Sequence, residues 1–547
     1  MFMKKIATIT PLLFFAATFA VRAESPQVTL VVGGNAPKLE LFAADELTAQ
    51  WKQLFSAEVT RATEIPAGKK NVVLLGSPAT NPAFASVMRG DSPLLSDQTQ
   101  IVKTVAYQGN ELLVIGGGSP VATLWAVYET GHQFGVRSLL TGDVFPTVRP
   151  EFRLSGFDIK LDPNMRIRSW QLIDDGANGT ESWGLADQQR LLGQLAKLKF
   201  NRVELITHPW QPFPRPDAAS NGKERLALFH GQEFTVDGDT PGRAVFRGAK
   251  SFDNPDFLGN ANGPEPLEAG RKLLESIADS ALQLGMQAET SIIQESGNIF
   301  SKRPIEKLVD IGLSHNSFGV LPRVSNRYLQ KRAAIIIANK ANGITVRCQH
   351  PGDASPGAFF LSRYAFDSQA TVNSTTEDLI QFVSGEGIAD RVMKGFESIE
   401  AATDLIAGND PAFARPEPNM IMKHYGVNEP PPTWWGKVRD NYANAMDEMY
   451  RANTRAREGA RAFTLYYAKR CEFAFQYMNC IEAVRKAGQA KAASNQDAQQ
   501  EQLEKAVEAL YGALNAMADV ARDQSDRGTI AVINEFGFRP LKKEFEQ

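Results

Sequence analysis

Cysteine is scarce: only Cys348, Cys471 and Cys480 occur in 547 residues. That excludes a disulfide scaffold. Cys471 and Cys480 lie too far apart along one expected helix to bridge without a bend. No close Cys/His grouping occurs, so no zinc motif and no other metal site is expected. Excess charge of one sign is also missing. The 59 Lys and Arg against 62 Asp and Glu leave a formal net charge of -3. Neither nucleic acid nor an anionic membrane is implied as a partner. No Walker lysine, no dinucleotide glycine fingerprint and no Gly-x-Ser-x-Gly elbow stands in the right context. No organic cofactor is called for.

The long apolar run at the start of the chain reads as a signal. Lys4 and Lys5 precede the core ITPLLFFAATFAV, and Val21-Arg22-Ala23 is an acceptable cleavage site. The run is too short for a membrane span. Residues 1–23 are therefore expected to be removed after Ala23, giving a periplasmic or secreted protein without stable membrane insertion. The remaining length predicts several domains, and the fold class is α/β.

The segment 24–150 predicts a small α/β domain. QVTLVVGG and NVVLLG read as buried strands. Leu39, Ala43, Leu47, Trp51 and Leu54 share one helical face. QTQIVKTVAYQGNELLVIGG predicts a hairpin turning at Gln108-Gly109-Asn110. Ser119 and Pro120 open a helix that Gly131 or Gly135 ends. The run Gly116-Gly117-Gly118 before it is either a tight turn or an anion cradle.

AADELTAQWKQLF, VVLLGSP and GNELLVIGGGSPVATLWAVYETGHQFGVRSL together resemble the small N-terminal domain of α-glucuronidases and β-hexosaminidases. In those secreted glycoside hydrolases that domain precedes a (β/α)8 catalytic barrel. The resemblance implies a carbohydrate substrate and a barrel-like domain over 151–370. GITVRCQHPGD through LSRYAFDSQATVNSTTEDLIQFVSGEG likewise resembles the junction between barrel and helical domain in bacterial relatives of these enzymes. The middle departs from the pattern, since barrel segments near 295–315 are absent or compressed.

Residue patterning supports the same region as organiser of the chain. Five strand candidates are expected: Leu154–Leu161, NRVELITHPW, MQAETSII, NSFGVLPRV and ITVRCQHPG. A full barrel needs eight strands and roughly 250 residues, so the barrel is expected to be reduced or to hide strands. MRIRSWQLIDDGANGTESWG reads as a polar loop and IEKLVDIG as a short helix. From 371 to 547, apolar stripes at helical spacing predict a helical domain. One stripe runs Tyr466, Phe473, Tyr477, Cys480 and Val484, with Arg470 inside it. RGTIAVINEFGF reads equally as helix or strand.

Glycosidic cleavage needs a proton donor and a second carboxylate. Barrel enzymes carry such groups at the C-terminal ends of strands. Glu204, Glu289, Glu295 and Asp353 are the catalytic candidates, with Asp174 and Asp175 as loop alternatives. Glu204 serves equally as a structural ion-pair partner. Glu289 shares the side Gln287–Glu289–Ser291, which is either a substrate face or a solvated edge. Arg166, Arg168 and Arg347 suit a uronate carboxylate, or else scaffold salt bridges. Trp170, Asp175, His208, Trp210, Gln349 and His350 complete the expected substrate contacts, Trp210 as a stacking platform or as packing. The expected function is hydrolysis of O-glycosidic bonds in an oligosaccharide or polysaccharide fragment, with or without a uronic acid. A noncatalytic glycan-binding protein on a reduced hydrolase scaffold is the alternative. A periplasmic assembly protein is a third reading.

Overall fold

A computed structural model describes residues 25–89, 95–172, 176–207, 233–256, 264–293, 299–300, 308–313, 319–348, 350–384 and 387–547. The N-terminal part alternates short apolar runs with amphipathic helices, and the runs become a sheet. Its elements are β1 (Gln27–Val32), α1 (Lys38–Phe55), β2 (Glu58–Ala62), β3 (Val72–Gly76), α2 (Pro82–Val87), β4 (Gln100–Tyr107), β5 (Asn110–Gly117), α3 (Pro120–Gln133) and the small hairpin β6 (Arg137–Leu139) and β7 (Gly142–Val144). The strand order is β2-β1-β3-β5-β4, with β8 (Asp158–Leu161) as the last strand beyond β4. The β4–β5 turn holds Gln108 and Gly109 at φ 50° and 79°, the two positive values that a type I′ hairpin turn demands. Ser119 caps α3 by accepting from the amide of Ala122, and Gly135 (φ 88°) follows its end.

The edge strand β8 (Asp158–Leu161) corrects one expectation. It pairs antiparallel with β4 and so belongs to the N-terminal sheet, not to the start of the central one. The central sheet begins instead inside the presumed polar loop, with β9 (Ile167–Gln171). It continues through α4 (Leu185–Lys197) and β10 (Arg202–Thr207), then the small pair β11 (Phe234–Thr235) and β12 (Ser251–Phe252). Next come α5 (Pro264–Gln283), β13 (Gln287–Ile293), β14 (Ile299–Phe300), β15 (Leu308–Gly312), α6 (Asn326–Ala338) and β16 (Gly343–Arg347). β15 replaces the short helix expected there. Eight residues are too few for periodicity to separate helix from strand, and pairing with β16 decides. NSFGVLPRV does not supply a strand over 319–324. There Pro322 lacks an amide hydrogen for a ladder.

The central order is β14-β13-β10-β9-β16-β15, with β13, β10, β9, β16 and β15 mutually parallel. Among the described residues this sheet is open, not a closed eight-stranded barrel. One face is apolar: Val203, Trp170, Val346 and Ile311 stand side by side in register and are buried. Each such side chain contributes about 1.5–3 kcal/mol by leaving water. The other face is polar and carries the candidate site.

Helices complete the chain: α7 (Pro351–Tyr364), α8 (Val372–Ser384), α9 (Ala389–Asn409), α10 (Thr433–Arg455), α11 (Glu458–Ala492), α12 (Gln496–Ala518), α13 (Gln524–Ile533) and α14 (Arg539–Phe545). The stripe from Tyr466 to Val484 is buried along α11, which packs between α10 and α12. RGTIAVIN resolves as helix, in α13. Among the described residues no helix is long and apolar enough to cross a membrane. All three cysteines are free and buried.

Candidate active site

Strand alternation puts every second side chain of β9, β10, β13 and β16 on the polar face. In one cross-strand row Gln287, Arg202, Ser169 and Thr345 are neighbours. Two residues nearer the C-terminal ends runs the row Glu289, Glu204, Gln171 and Arg347. Glu204 and Glu289 therefore occupy adjacent strands at one height, about 4.8 Å apart along the backbone ladder.

Their surroundings differ. Glu204 is buried, and its Oε1 accepts from Ser169 Oγ and Thr345 Oγ1, both at 2.9 Å. Its Oε2 accepts no hydrogen bond among the described residues. Arg202 Nε lies 3.4 Å from Glu289 Oε1. The same guanidinium donates to Gln287 Oε1 from Nε at 3.2 Å and Nη2 at 3.0 Å. One cation thus ties β10 to β13 beside the carboxylates. Gln171 stands between Glu204 and Arg347, an amide and a guanidinium beyond the acid pair. This arrangement offers two carboxyl groups and a cationic fork on one rigid surface.

Beyond β16 the chain turns through His350 into α7. His350 lies between Asp353 and Asp526, with ring nitrogens 3.6 and 3.2 Å from their oxygens. Asp353 is held by Arg470, which donates from Nε to Oδ1 at 2.9 Å and from Nη2 to Oδ2 at 2.5 Å. Both groups are buried. Asp353 is therefore held as a brace between β16 and the C-terminal helices, outside the row of Glu204 and Glu289. Arg323 lines a cavity of about 20 Å³ with His350, Cys348 and Asp353; burial pushes its guanidinium down to about 10.

Three further expectations change. Arg168 is 1% exposed. It points away from the polar face and donates to the carbonyls of Lys199 and Met165 and to Gln98 Oε1. Its guanidinium lies 4.9 Å from the ring centres of both Trp125 and Phe366. Burial pushes it down to about 9. Trp170 is fully buried on the apolar face, edge-on to Phe200. Neither has surface for a sugar, because alternation turned both toward the core. Arg166 is exposed and paired with Asp97, but it lines a groove of about 850 Å³ at the N-terminal ends of the central strands. Arg202 and Gln287, two residues along their strands from the carboxylates, line the same groove. Glu295, Asp175, His208, Trp210 and Gln349 lie outside the described residues.

Sequence reasoning gave no site role to Gln171, Tyr466 or Asp526. Gln171 was concealed because a strand with Ser and Gln on one face and Arg and Trp on the other reads as a loop. The two others come from distant helices, and no local signal joins them to β16. Among the described residues no group of three His, Cys, Asp or Glu is placed to hold a metal.

No family model and no curated protein matches the chain. Solved structures do. A family GH115 4-O-methyl-α-glucuronidase with specificity for decorated arabinogalactans superposes with a TM-score of 0.52 at 13% identity, covering 93% of this chain and 79% of its own. A GH138 enzyme targeting pectin rhamnogalacturonan II superposes at 0.46 and 11% identity, covering 95% and 99%. A family 89 glycoside hydrolase from Clostridium perfringens superposes at 0.46 and 10% identity, covering 86% and 64%. The last two matches are too loose to support any inference. The first bears out, at the level of fold, the resemblance to glycoside hydrolases.

Proposed function

We propose that this protein hydrolyses an O-glycosidic bond in an oligosaccharide or polysaccharide fragment, with Glu204 and Glu289 as its carboxyl pair. The observation that carries this reading is the row Glu289–Glu204–Gln171–Arg347 on the polar face of a parallel sheet. Glycoside hydrolysis needs one carboxyl to protonate the leaving oxygen and another to act as base or nucleophile. Neighbouring strands hold both without any loop movement. Arg347 supplies a planar fork suited to a uronate carboxylate, and Gln171 can bind a ring hydroxyl. Likeness of fold to an α-glucuronidase supports the same substrate class. On this reading the chain adopts a reduced barrel, and the mature protein acts in the periplasm or beyond.

The test is turnover of glucuronic-acid-bearing oligosaccharides by the wild type and by Glu204→Gln and Glu289→Gln. Each variant should lose about 10²–10⁴-fold in kcat. Azide rescue identifies the carboxylate that acts as base or nucleophile. An activated leaving group rescues the variant that lacks the acid. Wild-type turnover unaffected by either change would remove the pair from the chemistry.

A second reading, glycan binding without cleavage, is favoured by the open central sheet with its five parallel strands among the described residues. It predicts saturable binding to the same oligosaccharides, lost in Arg347→Met, with no released product.

A further inference from the structure

The C-terminal helix α13 reaches the loops that follow two central strands. After β9, the carbonyl of Ala177 lies so close to Gly528 that a β-carbon there would come within 1.8 Å of it. Trp183 Nε1 of the same loop donates to Ser525 Oγ at 2.8 Å. After β16, His350 Nε2 lies 3.2 Å from Asp526 Oδ1. One helix turn thus meets both strand ends.

We propose that Asp526 is a positioning residue of the active site, holding the His350 imidazole at the tip of β16, three residues beyond Arg347. The role rests on the proposed hydrolytic reading of the polar face.

Asp526 is wholly buried. A helix needing only to pack would place an apolar side chain there, because a buried carboxylate is costly unless it is satisfied. This one is satisfied without help from His350. Its Oδ1 accepts from Tyr466 Oη at 2.9 Å, and its Oδ2 accepts from the Arg522 amide at 2.8 Å. The Asp526 amide in turn donates to Asp523 Oδ1 at 3.0 Å. The Arg522 guanidinium stacks 3.4 Å above the Tyr466 ring. Tyr466 is itself pressed against α7: a β-carbon on Gly352 would come within 2.0 Å of its hydroxyl. Asp526 is therefore fixed in place whatever the imidazole does.

His350 is buried, yet neither ring nitrogen has a hydrogen bond of good geometry. Its carboxylate neighbours are near but off line, at 3.2 and 3.6 Å. Asp353 on one side is immobilised by Arg470 and Asp526 on the other by Tyr466 and Arg522. Catalytic contacts are often long and misaligned before substrate binds, and tighten afterwards. Burial opposes the charge of Asp526, but His350 and Arg522 hold its carboxyl well below the usual range, while burial pushes Asp523 up.

The experiment uses the full chain with 15N-labelled histidine, Asp526→Asn and Tyr466→Phe variants, and a glucuronic-acid-bearing arabinogalactan oligosaccharide as probe. His350→Gln assigns the His350 ring resonances. Asp526→Asn should lower kcat by about 10²-fold, the scale of a misplaced reacting group. KM should stay within about twofold, and the His350 resonances should move. Tyr466→Phe should lower kcat in the same direction by less. A fall in melting temperature with kcat and the His350 resonances unchanged would overturn the proposal. Should Asp526→Asn not fold, Tyr466→Phe decides by the same readouts. Wild type that cleaves no probe defeats the hydrolytic reading by itself. The imidazole spectra then still judge whether Asp526 positions His350, and unmoved resonances sink that role.

Discussion

Arg470 grips both oxygens of Asp353 across 117 residues of sequence. The side chains are 0% and 7% exposed, so the pair is shielded from solvent. Arg470 also donates to the Val320 carbonyl at 3.1 Å, which joins α11, α7 and the segment after β15. Asp353→Asn leaves a buried guanidinium without its charge partner. The expected loss is about 3–5 kcal/mol of stability, read by urea denaturation. Specific activity of the folded fraction should fall less than about tenfold. Full stability with abolished turnover would return Asp353 to the chemistry.

Arg168 makes the same point at the other end of the sheet. It joins β9 to α3 through Trp125 and to the turn after α7 through Phe366. Arg168→Met removes its donors from the carbonyls of Lys199 and Met165. The loss should be about 2–3 kcal/mol, with KM for any glycan unchanged. A raised KM at wild-type melting temperature would mean that the guanidinium reaches substrate after all.

These two residues also show what was legible in the sequence. Wherever a segment buries one face and wets the other, its period declares it: α1, α3, α11 and the β4–β5 hairpin were readable. The central strands reverse the rule, since their inner face is polar and their outer face apolar. β9 therefore looked like a loop rich in ligands, and Arg168 and Trp170 looked like substrate contacts when they point at the core. Glu204 and Glu289 were readable as candidates because their own segments were recognisable as strands. Their register as neighbours was not, because strand pairing is a long-range fact. The partnership of His350 with Asp526 is longer in range still, and depends on how a helix 176 residues away docks.

His132 gives the pH dependence. It lies in α3 with Nε2 3.3 Å from Asp378 Oδ2. Nearby, Glu129 accepts from Lys199 and Arg363. Burial first, then the Arg363 charge, pushes His132 down to about 4. The unfolded value is about 6.5. Between these values the unfolded chain binds the extra proton, so stability rises with pH. The contribution is complete above about pH 6.5 and is lost as pH falls through about 4, roughly 3 kcal/mol in all. Urea midpoints measured from pH 7 to 4 should drop more steeply for the wild type than for His132→Gln. Parallel slopes would show that the imidazole takes no part.

The two hydroxyls on Glu204 decide whether that carboxylate is structural or reactive. Ser169 and Thr345 reach it from the strands β9 and β16, and both bind the same oxygen, Oε1. A purely structural carboxylate has no reason to leave its second oxygen unserved while the Arg202 guanidinium stands two residues away in its own strand. A reactive one needs a fixed orientation and a free oxygen, and this geometry provides both. Thr345→Val keeps the shape of the side chain nearly intact and removes one donor. Kcat should fall about tenfold, and adding Ser169→Ala should take the loss to about 10²-fold, because the carboxylate can then rotate out of line. KM should hardly move, since neither hydroxyl is offered to substrate. Unfolding experiments should show a cost of about 1–3 kcal/mol for the underserved carboxylate. If that cost appears while turnover is untouched, Glu204 is a strut, and Glu289 must find its partner elsewhere.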